Sequence, residues 1–425
     1  MLTQIDQANQ TELIAYLQSR NQEISTDILV SVSKIIEDVR KNKDEAVRAY
    51  TKQFDGIEMQ QYKVSPEELD AAIEKNDAKF MEAMQLAKEN IETFHKAQLQ
   101  KNYILMQEPG IYLGQRVLPL ESVGIYVPGG RAQYPSSVLM NAIPAKVAGV
   151  KRIVMVTPPN KEGTIAPTIA YAAKLAGIDE IYKVGGAQAI AALAYGTSTI
   201  ASVDKIVGPG NIFVAAAKKM VFGKVDIDMI AGPSEILVVA DEKANPTYVA
   251  ADLLSQAEHD PMASSILLTT SKQILKEVNE RLKIQTEKLP KKEIVLESLK
   301  NYGKAIVCDS IEQCIEYANA IAPEHLELQV ENPMEYLNQV KNAGSVFLGY
   351  YSCESVGDYF GGCNHVLPTS GTARFSSALG VDSFIKKSSY LYYSQEALQQ
   401  NGEYIMEIAK QEELQAHSNA VKVRL

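Results

Sequence analysis

From about Gly110 the chain alternates between short β-branched runs and longer, alanine-rich stretches with helical spacing. Val123-Gly-Ile-Tyr-Val127, Arg152-Ile-Val-Met-Val156 and Glu180-Ile-Tyr-Lys-Val184 are the first such runs. A second set follows in the same manner: Glu235-Ile-Leu-Val-Val-Ala240, Ser264 to Thr270, Lys304-Ala-Ile-Val307 and Ser345-Val-Phe-Leu348. Strands alternating with helix-length segments predict an α/β fold with largely parallel sheets, and two such sets predict two lobes. The first hundred residues read as helices, with Ser65-Pro66-Glu67-Glu68 supplying an N-cap, a proline at the first helical position and an acid three residues after the cap. Beyond about Ser389 the pattern returns to helical, Glu- and Gln-rich sequence with no obvious strand. A helical tail of that length is marginal alone in water, so it must pack on its own body or on a partner subunit.

Composition narrows the function class. A chain of 425 residues with 46% hydrophobic and 22% charged residues can bury more than one core. A formal net charge of −10 disfavours a broad basic footprint for nucleic acid or anionic lipid, leaving small-molecule chemistry as the expectation. Met1 to Arg20 carries Asp6 and Glu12 and does not read as a signal peptide, and the uncharged stretch between Lys183 and Asp204 is too polar for a membrane span. A soluble, cytoplasmic protein is expected. Cys308, Cys314, Cys353 and Cys363 form no Cys-x-x-Cys pair and read as small buried hydrophobes in a reducing compartment.

Only five histidines occur, and four of them, His259, His325, His365 and His417, sit among acids, amides or glycines. Asn245 and Pro246 can open a helix on which Gln256 and His259, three apart, project together beside an apolar stripe. Its electronegative carbonyl end favours a cation, and Gln oxygen with His nitrogen can bind zinc; a plain polar helix edge is the other reading. Adjacent Glu324 and His325, at what looks like a loop entering a strand, offer either an acid–base pair or an exposed polar turn. Glu354 to Gly371 packs four glycines, Asp358 and His365 into an irregular stretch suited to a metal or substrate site, or to an ordinary surface loop. Val184-Gly-Gly-Ala-Gln-Ala189 and Gly208-Pro-Gly-Asn211 each follow a predicted strand, where α/β sheets place nucleotides. Neither they nor Pro128-Gly-Gly130 form a G-x-G-x-x-G fingerprint, so pattern alone allows any anionic ligand.

Taken together, Val123 to Gly130, Gly185-Gly-Ala-Gln188, Gly208-Pro-Gly-Asn211, Ala231-Gly-Pro-Ser-Glu235, Ser255-Gln-Ala-Glu-His259, Pro323-Glu-His325 and Asn364-His-Val-Leu-Pro-Thr369 resemble the histidinol dehydrogenase family across nearly the whole chain. The resemblance implies two incomplete Rossmann-like lobes with helical extensions: an N-terminal helical arm over 1–24, a first lobe of 25–120 with 232–372, an NAD-binding lobe of 121–231, and a C-terminal helical tail over 373–425. It implies zinc held by Gln256, His259, Asp358 and the partner subunit's His417 in a homodimer. Substrate contacts fall on those four residues and on Ser234, His325, His365 and Glu412, NAD contacts on Tyr126, Gln188 and Asn211, and catalysis on Glu324 and His325. The implied reaction takes L-histidinol through L-histidinal to L-histidine with reduction of two NAD, the last steps of histidine biosynthesis. A dehydrogenase of another amino alcohol, a zinc hydrolase using Glu324 as base, and a non-enzymatic zinc- or nucleotide-binding protein are the rivals; the hydrolase lacks His-Glu-x-x-His, and the binding protein has no use for Glu324 beside His325.

Overall fold

The computed structural model describes residues 1–5, 24–129, 133–178 and 180–425. In chain order its elements are β1 (Thr3–Gln4), α1 (Thr26–Asp55), α2 (Pro66–Ile73), α3 (Ala78–Lys96), β2 (Tyr103–Glu108), β3 (Ile111–Pro119), β4 (Ser122–Tyr126), α4 (Pro135–Ala148), β5 (Arg152–Thr157), α5 (Pro167–Leu175), β6 (Glu180–Lys183), α6 (Gly186–Tyr195), β7 (Lys205–Val207), α7 (Ile212–Val221) and β8 (Asp226–Ile227). There follow β9 (Glu235–Ala240), α8 (Pro246–Ala257), β10 (Ser264–Thr269), α9 (Lys272–Thr286), α10 (Lys292–Tyr302), β11 (Gly303–Val307), α11 (Ile311–Ile321), β12 (His325–Gln329), α12 (Pro333–Tyr336), β13 (Ser345–Leu348), α13 (Glu354–Tyr359), β14 (Ile385–Tyr393), α14 (Gln395–Gln411) and α15 (Gln415–Lys422). Among the described residues no helix is long and apolar enough to cross a membrane.

Two parallel sheets organise the molecule. One runs β6-β5-β4-β7-β8 and the other β1-β11-β10-β9-β12-β13. Numbered by their own strands, and with the edge strand β1 set aside, both follow the 3-2-1-4-5 order of a doubly wound sheet, with the switch point between β4 and β7 in one and between β9 and β12 in the other. Each sheet is buried on both faces, so alternate residues of a strand enter different cores. Val123 and Ile125 of β4 pack with α3, α4 and α5, whereas Tyr126, Val154 and Val156 pack with α1, α6 and α7. In the other sheet Ile236 and Val238 face α8, α9 and α10, while Leu237 and Val239 face α11.

The structure corrects the sequence reading at several points. The expected helical arm over 1–24 falls mostly outside the described residues, and Thr3–Gln4 within it is an edge strand paired with β11. Helices α1 to α3, expected with the first lobe, pack on the β4–β8 sheet instead, because Val32, Val39 and Val47 of α1 complete the core under Ile190 and Leu193 of α6. The tail is not all helical: β14 runs to Tyr393 and pairs antiparallel with β3, which pairs with β2. Tyr390-Leu-Tyr-Tyr393 is aromatic sequence that suits a strand, and its partner lies far back in the chain, out of reach of local periodicity. Cys308 and Cys314 are buried as expected, but Cys353 is only half-buried and Cys363 is exposed, because the loop that carries it lies at the surface.

Candidate active site

The second sheet's first strand supplies the floor of a carboxylate–imidazole cluster. Chain geometry puts the pair Glu324–His325 there: α11 ends on Ala322 in the left-handed region (φ 53°), Pro323 follows, and His325 is the first residue of β12. Backbone in that region is costly for a residue with a Cβ and is held by its surroundings. Both side chains are buried. Glu324 Oε2 accepts a hydrogen bond from the Glu235 N–H at 2.9 Å, and His325 Nδ1 lies 2.9 Å from the Glu235 carbonyl, to which it donates. That bond fixes the tautomer, leaving Nε2 without a hydrogen-bond partner among the described residues and 3.7 Å from Asp358 Oδ1.

Burial raises the Glu324 carboxyl to about 8, with the neighbouring imidazole opposing. Burial pulls His325 down, yet the carboxylates of Glu324, Asp358 and Glu354 outweigh it and hold the imidazole up at about 10. For Asp358 burial is again outweighed, here by His325 and His365, and its carboxyl sits below the usual range. His365, pushed down by burial, donates from Nδ1 to the Asp358 carbonyl at 2.9 Å and meets Ser137 Oγ of α4 through Nε2 at 3.3 Å. That contact ties this cluster to the other lobe.

Helix α8 behaves as its sequence predicts: Asn245 caps it, Pro246 opens it, and Gln256 and His259 come off its carbonyl end. Gln256 is buried, donates from Nε2 to Glu354 Oε1, and has no partner for Oε1 among the described residues. His259 faces a cleft of about 450 Å³ between the lobes, which α3, the start of α4, Lys291 and Tyr359 also line. The stretch from Glu354, expected to be irregular throughout, begins instead with α13, a one-and-a-half-turn helix carrying Glu354 and Asp358 four apart on one face. Donor atoms of His325, Glu354 and Asp358 lie within 4.8 Å of one another. Imidazole nitrogen and carboxylate oxygens grouped this closely, with the orphaned oxygen of an amide that donates to Glu354 from the helix carbonyl end, form a donor set that fits zinc. Glu354 is the member that sequence reasoning passed over; its i, i+4 spacing to Asp358 was the available signal. Ser234 is half-buried beside Glu235.

At the carboxyl end of the first sheet the glycine loops stand where the sequence predicts. Tyr126, the last residue of β4, is buried and its Oη accepts from the Gly186 N–H at 3.1 Å; burial lifts its hydroxyl to about 12. Gln188, in the first turn of α6, is fully buried with neither amide atom partnered among the described residues. Asn211 caps α7, accepting from Phe213 and Val214 N–H groups. Gly208 needs to be glycine: its φ is 111° and a Cβ there would lie 2.1 Å from the Tyr126 carbonyl oxygen. Its peptide is clamped by a buried ion pair, with Asp228 accepting from Gly208 N–H at 2.8 Å and Lys218 donating to its carbonyl at 2.9 Å. Of the Pro128-Gly-Gly130 loop, Gly130 lies outside the described residues.

Thus Glu324, His325, Gln256, Asp358 and His365 gather at one cluster, His259 stands exposed on the cleft beside it, and Tyr126, Gln188 and Asn211 stand at the carboxyl end of the other sheet. Glu412 and His417 do neither. Both are exposed on the α14–α15 hairpin, and no hydrogen bond or ion pair among the described residues joins them to either cluster.

Comparison with known proteins gives a consistent picture. The family model described as histidinol dehydrogenase matches residues 18–425. The histidinol dehydrogenase of Clostridium acetobutylicum is 59% identical over 408 residues, covering 96% of this chain and 95% of the relative. That of Caldanaerobacter subterraneus is 57% identical over 410 residues, covering 96% and 95%. The crystal structure of histidinol dehydrogenase from Elizabethkingia anophelis superposes with a TM-score of 0.95 at 44% identity, covering 100% of this chain and 98% of that one.

Proposed function

Because the chain belongs to the histidinol dehydrogenase family, we propose that its two lobes divide one reaction between them, a metal-held substrate in one and the cofactor in the other. It is an NAD-dependent, zinc-containing oxidoreductase that oxidises histidinol in histidine biosynthesis. In our reading 232–372 forms the catalytic lobe and 121–231, with α1 to α3 packed on it, the NAD lobe. Gln256, His259 and Asp358 are zinc ligands, and His417 of a second copy is the fourth. Ser234, His365 and Glu412 contact the substrate, and Tyr126, Gln188 and Asn211 contact NAD. Cytoplasmic residence fits the acidic chain and its free cysteines.

The observation that carries the reading is the buried pair Glu324–His325 beside Asp358, with His325 Nε2 and Gln256 Oε1 both left without partners. Buried polar atoms are rarely orphaned, and two beside one carboxylate cluster indicate a ligand. Zinc held there by Gln256, His259 and Asp358 would supply a Lewis acid for the substrate's nitrogen donors, and NAD would supply the hydride acceptor. His325, its Nδ1–H pinned on the Glu235 carbonyl, offers Nε2 to take the hydroxyl proton. Positive charge compensating Asp358 lowers His325 toward neutral pH, since that carboxylate is among the groups holding it up. For the aldehyde step Glu324 deprotonates the water that attacks the carbonyl, giving a hydrate from which the second hydride leaves for a second NAD. Burial suits Glu324 to this role by placing it near neutrality, where a base both accepts and returns a proton.

Dimerisation is supported by an uncovered apolar surface. All six residues of β2 are exposed, including Ile104 at 60% and Met106 at 68%, and Leu391, Tyr404 and Ile408 nearby in the chain's tail are exposed too. Monomers seldom leave that much apolar area in contact with water. A second copy related by a two-fold axis would cover it and bring Glu412 and His417 to the other subunit's cluster. The test mixes two inactive variants, Glu324→Gln and His417→Ala. If sites are shared, random reassortment gives half heterodimers with one intact site each, restoring about a quarter of wild-type activity. If His417 serves its own subunit, mixing restores none.

A further inference from the structure

We infer that Glu354 is the positioning residue that aims the Gln256 carboxamide, so that Oε1 and not Nε2 faces the metal cluster; this rests on Gln256 being a zinc ligand. The two ends of a carboxamide are nearly alike in shape and opposite in chemistry. The oxygen carries lone pairs, whereas the NH2 presents two hydrogens and none. A glutamine used as a metal ligand therefore needs something that tells one end from the other.

Glu354 has the required chemistry. It is 2% exposed, and its Oε1 accepts from Gln256 Nε2. Turning the amide over would set two oxygens against each other and direct two hydrogens at the imidazole and carboxylate donors. Glu354 is itself held. Its Oε2 is 2.5 Å from Ser255 Oγ, and its N–H donates to Glu327 Oε1 at 2.9 Å. Glu327 in turn shares the Gln329 amide with Asp252, through contacts of 2.9 and 2.7 Å. A chain of buried polar groups thus runs from β12 and α8 through α13 to the glutamine, and ends on Gln256 Oε1, which has no partner among the described residues. Partners of this kind behind a ligand fix its orientation and sharpen affinity for the metal.

Glu354 also belongs to the group of three donors whose atoms lie within 4.8 Å of one another, so direct ligation is the competing role. A double-mutant cycle on zinc affinity, read by competition with a chromogenic chelator on stripped and reloaded protein, separates the two. Glu354→Ala is expected to weaken zinc by about 10- to 100-fold, the effect of losing a ligand's supporting partner. Glu354→Gln, which keeps an acceptor oxygen, should recover most of that loss. On a Gln256→Ala background Glu354→Ala should cost nothing more. An equal loss on both backgrounds, or no rescue by glutamine, overturns the positioning role. If Gln256→Ala alone leaves zinc affinity unchanged, it is the ligand assignment that fails. Should Glu354→Ala not fold by circular dichroism, Glu354→Leu, which fills the space without an acceptor, takes its place with the same expected outcomes.

Discussion

The two lobes share a strand order and use opposite ends of it. In the lobe built on β4 to β8 the glycine loops follow the carboxyl ends of β4, β6 and β7, where α6 and α7 begin. Helix amino ends there offer free N–H groups and partial positive charge, which suits a pyrophosphate. In the lobe built on β9 to β13 the cluster lies at the amino ends: Glu235 and His325 open their strands, and Gln256 and His259 come from the end of a helix that has run back. Helix carbonyl ends and buried carboxylates gather there, and that environment suits a cation. In the proposed reading one architecture serves an anionic cofactor at one pole and a metal at the other, and the usual rule for locating ligands in α/β sheets finds only the first.

Four experiments break or sharpen this division. Among substitutions the largest effect is expected from Glu324→Gln, which should slow turnover of added aldehyde by about 10² to 10⁴-fold while NAD binding, followed by titration, stays unchanged. Equal aldehyde turnover by variant and parent would remove Glu324 from the second step. Next, removing zinc with a chelator should abolish oxidation and leave the NAD dissociation constant within about twofold, since the proposed zinc ligands and NAD contacts share no residue; a parallel loss of NAD affinity would mean the poles are not independent. The mirror experiment is Gly208→Ala. Forcing a Cβ against the Tyr126 carbonyl at positive φ costs about 1–3 kcal/mol, enough to weaken NAD by roughly tenfold. Zinc content measured by elemental analysis should not change, and a fall in it would contradict the separation.

The smallest effect concerns the seam between lobes. His95 of α3 is buried, donates from Nδ1 to the Ile91 carbonyl at 2.7 Å, and meets Asn364, whose amide also donates to the Met140 carbonyl of α4. Burial lowers its pKa below 6.5, so between the two values the unfolded chain binds more protons than the folded one. Stability from this residue is therefore complete above pH 6.5 and declines as pH falls through the folded value. Thermal midpoints of wild type and His95→Gln should converge on acidification from pH 7 to pH 5.5; parallel curves would show that His95 carries no such linkage.

Much of this was legible in the sequence, for reasons that vary by residue. Central strands such as Glu235–Ala240 announce themselves because burial on both faces demands unbroken β-branched sequence. The Gln256–His259 pair and Glu324–His325 were visible because each is local. What stayed hidden was non-local. Gln256 meets Glu354 across 98 positions, and β14 pairs with a strand more than 250 residues earlier, so no window of sequence contains either contact. Glu412 and His417 mark a different limit, since both are exposed and their proposed role depends on a second copy.

The central claim is that a zinc-dependent cluster and an NAD site cooperate in two successive oxidations of one substrate. Zinc-loaded protein given limiting L-histidinol and excess NAD should form two reduced cofactors for each substrate consumed, and chelator should abolish both. One reduced cofactor per substrate would contradict the account, making the protein a simple alcohol dehydrogenase in which Glu324 has no second step to perform.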